Sequence, residues 1–167
     1  MADVFSKAKR SEVMSRIRSR GNKDTEVKLA KFFRRHKITG WRRQVQISSR
    51  AALLRGPKIK ATRQRRPASF SVRPDFVFPK HRLEVFVDGC FWHGCPKHAT
   101  KPKNNRAFWH RKLSRNKKRD VLVTRALRRA NWRVLRIWEH TLQWATKKPE
   151  NEARLLRRIQ RALGRII

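Results

Sequence analysis

Residues 84–98, EVFVDGCFWHGCPKH, constrain this chain more than any other stretch. Val85, Phe86 and Val87 form an apolar run of the kind found in a buried strand, and Asp88-Gly89 breaks it. The loop that follows holds both cysteines of the protein, Cys90 and Cys95, together with His93, His98, Phe91 and Trp92. Just upstream, Arg73-Pro74-Asp75 opens a second apolar run, Phe76-Val77-Phe78. The short Pro79-Lys80-His81 link between the runs suits a hairpin. Strand alternation puts Glu84, Phe86 and Asp88 on one face, so Asp75 and Asp88 can meet across that hairpin.

Charge decides the class of partner. The 46 Lys and Arg residues against 11 acids leave a formal charge of +35, which repels itself unless a polyanion neutralises it. Nucleic acid is the expected partner. No long apolar segment and no signal-like stretch supports a membrane surface, so a cytoplasmic protein bound to nucleic acid is expected. Charge alone is equally met by a basic protein that coats RNA. The acids argue otherwise: none lies between Val27 and Pro74 or between Gly89 and Arg119, yet Asp75, Glu84 and Asp88 cluster beside apolar runs. Holding a divalent cation against phosphate gives such a cluster a purpose; neutralising phosphate does not.

In chain order, residues 1–23 read as a basic arm with Met14 and Ile17 three apart, able to close over DNA or simply to fray. A helix is expected from Thr25 to about His36, capped by Asp24 or Thr25, with Leu29, Phe32 and Phe33 as its apolar stripe. Glu26 in its first turn is either a partner of the helix dipole or a catalytic acid. Trp41 to Ile47 alternates as a strand. Residues 48–73 carry eight basic residues, two prolines and no acid, and read as a loop insertion adding phosphate contacts. Asn104 or Asn105 can cap a helix bearing Phe108, Trp109 and Leu113, with a further helical stretch over Arg119–Arg129. Trp132–Trp138 alternates as a strand ending in Glu139-His140, and a C-terminal helix is expected in 150–167. These elements predict one α/β domain over 1–167: a mixed sheet flanked by helices, with a zinc loop at one edge.

Three constellations carry the chemistry. Cys90-x4-Cys95-x2-His98 offers ligands that zinc prefers, with His140 as a fourth and His93 near enough to compete; buried free thiols are the alternative. Asp75, with Glu84 or Asp88, can hold Mg²⁺ at a phosphate, and His93 is a candidate general base or acid near that metal. Phe91, Trp92 and Trp109 can wedge between base steps or simply fill a core.

The segments VRPDFVF, VFVDGCFWHGCPKH, NNRAFW and NWRVLRIWEH, with MADVFSKAKRSEVMSRIRSR and KDT at 23–25, resemble the very-short-patch-repair (Vsr) DNA mismatch endonucleases. The resemblance covers most of residues 1–145. It implies a restriction-endonuclease-like fold, a structural zinc, and Mg²⁺-dependent nicking of duplex DNA at a T·G mismatch, with mismatch-repair proteins as candidate partners. It assigns metal binding to Asp75, catalysis to His93, and zinc to Cys90, Cys95, His98 and His140. The mismatch wedge falls to Phe91, Trp92 and Trp109, and Met14 of the arm is a further candidate DNA contact. Asp88 and Glu26 join Asp75 and His93 as candidate catalytic acids. Val87 and Asp88 stand where some members have threonine and histidine, His140 where some have cysteine, and the 48–71 insertion is not part of the usual pattern.

Overall fold

The computed structural model describes residue 12 and residues 23–49, 70–100 and 102–164. Met14, most of the basic arm and the residues between Ser49 and Phe70 lie outside the described residues. In chain order, a π-helical turn (Lys23–Val27) leads into α1 (Lys28–Arg35), then β1 (Arg42–Arg43), β2 (Ile47–Ser49), β3 (Phe70–Val72), β4 (Phe76–Phe78) and β5 (Leu83–Asp88). The long helix α2 (Arg106–Arg129) follows, then β6 (Arg133–Trp138), α3 (Glu139–Ala145) and α4 (Pro149–Leu163).

Strands β1, β4, β5 and β6 form a mixed sheet in that order. The β4–β5 pair is antiparallel, with Phe76 opposite Val85 and Phe78 opposite Leu83, as the short link requires. β6 runs parallel to β5, since the crossover through α2 returns the chain to the same edge. Leu83, Val85 and Val87 of β5, Leu135 and Ile137 of β6, and Phe76 and Phe78 of β4 bury one face against α1, α3 and α4. Phe33 of α1 anchors this core, edge-on to Phe76 at 5.2 Å and to Phe78 at 5.4 Å. Its removal would cost about 3–5 kcal/mol, the usual range for a buried phenylalanine cut to alanine.

Helix α2 covers the opposite face, touching β6 and burying Leu127. It is one helix rather than two stretches, and Asn105 enters it at φ +53 without a side-chain cap. The strand expected over Trp41–Ile47 is interrupted: Gln44 sits at φ +57, so β1 stops after Arg43 and pairing resumes only at Ile47. At both ends of the basic stretch 48–73 the structure has strand where the sequence suggests loop. Ile47 pairs with Val72 and Ser49 with Phe70, so the insertion springs from a hairpin. His140 is the second residue of α3, not the end of a strand. The C-terminal helix forms as expected, opened by Pro149 and closed by Gly164 at φ +72. No helix among the described residues is long and apolar enough to cross a membrane.

Candidate active site

The C-terminal end of β5 opens into a cleft of about 600 Å³. Asp75, Asp88, His93, Glu26 and Trp92 line it, with Arg73, Arg119, Asp120 and Arg136. Each arrives by a different route. Asp75 precedes β4, and its Oδ2 accepts a 2.7 Å hydrogen bond from the backbone N–H of Val87 across the hairpin. The expected meeting of Asp75 with Asp88 is indirect: Asp75 bonds the backbone of Val87, and Asp88 lies close enough for its charge to act on the Asp75 carboxyl. Burial raises the Asp75 carboxyl to about 6 against the pull of that hydrogen bond, and the charges of Glu26 and Asp88 add to the rise. Such a carboxylate gains most from a cation.

Asp88 is buried and held by two nitrogens of one guanidinium, with Arg136 Nε at 2.7 Å and Nη2 at 2.6 Å. Glu26 is also buried, its Oε2 accepting from Arg43 Nη2 at 2.7 Å and Gln44 Nε2 at 3.0 Å. It therefore does more than face a helix dipole: it ties the π-helical turn to the end of β1 at the cleft wall. Glu84 is not brought in. It lies on the same face of β5 as Asp88 but deeper, wholly buried and outside the cleft lining.

His93 stands on the loop after β5, its Nδ1 2.6 Å from Asp120 Oδ2 and 3.6 Å from Asp88 Oδ1. Only the first is a hydrogen bond, and it makes Nδ1 the donor toward the carboxylate, leaving Nε2 for other chemistry. Asp120, missed in the sequence, projects from α2. Burial pushes its carboxyl up, but the His93 hydrogen bond and the charges of His93, Arg136 and Arg119 outweigh that and hold it below the ordinary range. Its signal in the sequence was faint: it is the sole acid between Gly89 and Trp138. Gly94, next to His93, adopts φ +61, a backbone conformation that favours glycine at this turn.

Phe91, Trp92 and Trp109 form one aromatic cluster, with centroids 5.1 Å apart for Phe91–Trp92, 5.2 Å for Phe91–Trp109 and 5.9 Å for Trp92–Trp109. All three are partly exposed. Half-exposed Phe108 extends the cluster from Trp109. Asn116 of α2 donates to the Trp92 carbonyl at 3.0 Å and fixes the loop.

Beyond the aromatic cluster, Cys90, Cys95, His98 and His140 bring one ligand atom each within 4.8 Å of one another. Cys90 Sγ is 3.2 Å, and Cys95 Sγ 3.6 Å, from His140 Nδ1; Cys95 Sγ is 3.7 Å from His98 Nδ1. Ligands around a tetrahedral zinc stand about 3.4–3.8 Å apart, so the donor set and its spacing fit one. His93 is absent from the group; it faces Asp120 instead. Burial raises the Cys90 thiol and lowers the His140 imidazole, the latter helped by the charges of His98 and Lys97. Glu139 accepts from the Cys90 backbone N–H at 3.1 Å and braces the loop against α3.

The amino-acid sequence is similar to those of known proteins. The family model described as DNA mismatch endonuclease Vsr matches residues 58–100. The chain is 33% identical over 148 residues to the DNA mismatch endonuclease Vsr of Escherichia coli K12, covering 88% of this chain and 80% of that one. It is 30% identical over 165 residues to the type II nicking enzyme V.NmeAIP of Neisseria meningitidis serogroup A, covering 98% and 100%. A shorter match, 52% identical over 69 residues, links it to the type II nicking enzyme V.NaeI of Lentzea aerocolonigenes, over 41% of this chain and 42% of that one. The match to V.NaeI thus spans less than half of either protein. The chain belongs to the Vsr DNA mismatch endonuclease family.

Proposed function

We propose that this protein hydrolyses one strand of duplex DNA at a T·G mismatch, in a Mg²⁺-dependent reaction on a restriction-endonuclease-like fold. One observation carries the reading: Trp92 lines the carboxylate cleft and belongs to the aromatic cluster, so reader and cutter share a loop. Its position beside the cleft would hold a phosphodiester near an unstacked step against Asp75 and His93. Arg73 and Arg119 at the rim suit the phosphate backbone.

The chemistry needs water to form a new P–O bond while the bond to the leaving ester oxygen breaks. Asp75 would hold the divalent cation, with Asp88 and Glu26 as further candidate acids; when bound, the cation polarises the phosphoryl oxygen and acidifies water. His93 exchanges the proton through Nε2, and Asp120 keeps Nδ1 protonated and stabilises the imidazolium as it forms. Cys90, Cys95, His98 and His140 would hold zinc and so pin the loop bearing Phe91, Trp92 and His93 to α3. Met14 and the basic arm are proposed as further DNA contacts, within one domain over 1–167.

The test pairs two end-labelled duplexes that differ only by T·G against T·A, each with Mg²⁺ or EDTA. A single nick in one strand of the T·G duplex, with Mg²⁺ only, is the expected result. Tight binding without any nick would instead identify a DNA-binding module that does not cut.

A further inference from the structure

Arg136 is not among the acids, histidine and aromatics that the reaction uses directly, yet its guanidinium makes three close contacts with carboxylate oxygens of the cleft. It lies on β6, and the parallel register sets it opposite Phe86, two pairs short of the Asp88 level. Its guanidinium lies over the Phe86 ring at 5.1 Å and reaches along β5 to Asp88. There Nε meets Oδ2 at 2.7 Å and Nη2 meets Oδ1 at 2.6 Å. The same Nη2 also lies 3.1 Å from Asp120 Oδ1.

We propose that Arg136 is a positioning residue whose guanidinium clamps Asp88 of the sheet to Asp120 of α2 and thereby fixes the ring of His93. The role rests on the nuclease reading above. The two oxygens of Asp120 are divided between two partners, Oδ1 meeting Arg136 and Oδ2 meeting His93 Nδ1. A carboxylate held at one oxygen cannot rotate away from the imidazole. The clamp therefore ties a residue of α2 to the sheet through side chains alone. Arginine suits the post: a planar fork satisfies Asp88 along two parallel bonds and still has a proton for Asp120. Lysine brings the charge but not that geometry, so charge and geometry are separable.

The rival role is simple neutralisation. Asp88 is buried, and without Arg136 its charge has no guanidinium partner, so Arg136→Met alone could unfold the protein. The test therefore compares Asp88→Asn with Asp88→Asn/Arg136→Met, beside wild type and Arg136→Lys, all as full-length chains. Three quantities are read: melting temperature, affinity for the T·G duplex without Mg²⁺, and the single-turnover nicking rate with Mg²⁺ at saturating DNA. The clamp predicts that the double variant melts near Asp88→Asn and binds DNA within about twofold of it. It should nick about 10- to 100-fold more slowly, the usual loss when a group orienting a site residue is removed. Arg136→Lys should melt close to wild type yet show a comparable drop in rate. A readout without catalysis accompanies them: the His93 Nδ1–H proton resonance in ¹⁵N-histidine-labelled protein, assigned with His93→Gln. That signal should be sharp in wild type and Asp88→Asn and lost to exchange in the double variant. An unchanged signal in the double variant, or nicking by Arg136→Lys at the wild-type rate, would overturn the clamp and leave neutralisation. If wild type nicks no duplex while the signal still depends on Arg136, the nuclease reading fails and the clamp survives.

Discussion

Glu84 is wholly buried in the middle of the sheet, and neither of its oxygens has a hydrogen-bond partner among the described residues. Burial raises its carboxyl from 4.5 to about 8, so at neutral pH the folded protein keeps a proton there that the unfolded chain releases. Its unfavourable effect is therefore absent below pH 4.5 and grows as pH rises toward 8, reaching a few kcal/mol in order of magnitude. Asp75, raised to about 6, adds the same trend over a narrower window. Glu84→Leu should remove the trend's larger part. Its melting temperature should exceed that of wild type by little at pH 5 and by much more at pH 8. A gap independent of pH would show that Glu84 is ionised and paired in solution. The metal-site reading of Glu84 fails on position, since alternation gives a residue's face but not its depth along the strand.

At the level of elements, the proposed function gives the loop after β5 two separable roles. Unstacking a base step costs a few kcal/mol and costs least at a mispair, so an aromatic wedge enters T·G more cheaply than T·A. Trp92→Ala should lower affinity for T·G duplex much more than for T·A duplex, with the melting temperature nearly unchanged; equal losses with a lower melting temperature would make Trp92 a core filler. The metal cluster answers to stability instead, because a structural zinc contributes folding free energy directly. Purified protein should contain about one zinc per chain, as one closed four-ligand site requires, and Cys90→Ser should lower melting temperature before it alters chemistry. Folded, active protein without zinc would remove that claim. The hairpin, the clustering of Cys90, Cys95 and His98, and the aromatic pair Phe91-Trp92 were legible because they are local: alternation, a short link and short motifs encode them. Asp120 and Arg136 were not, because their meeting depends on how α2 lies across the sheet, which no spacing within either segment records. The break at Gln44 was hidden for another reason, since the Trp41–Ile47 pattern alternates correctly through a residue whose backbone is left-handed.

Across the whole molecule 46 basic residues stand against 11 acids, four of the acids share one cleft, and the two groups serve different ends. The charge of +35 supplies affinity for the backbone, which salt weakens steeply. Asp75, Asp88, Asp120 and Glu26 subtract from that affinity, and their place in one cleft is what separates a nuclease from a coating protein. Asp75→Asn therefore tests the central claim most directly, with nicking and binding of the same T·G duplex measured on the same preparation. Nicking in Mg²⁺ should fall by orders of magnitude, while binding is retained or slightly tightened as one repulsion with phosphate disappears. Nicking at the wild-type rate by Asp75→Asn would contradict the proposed metal site and put the reaction centre elsewhere.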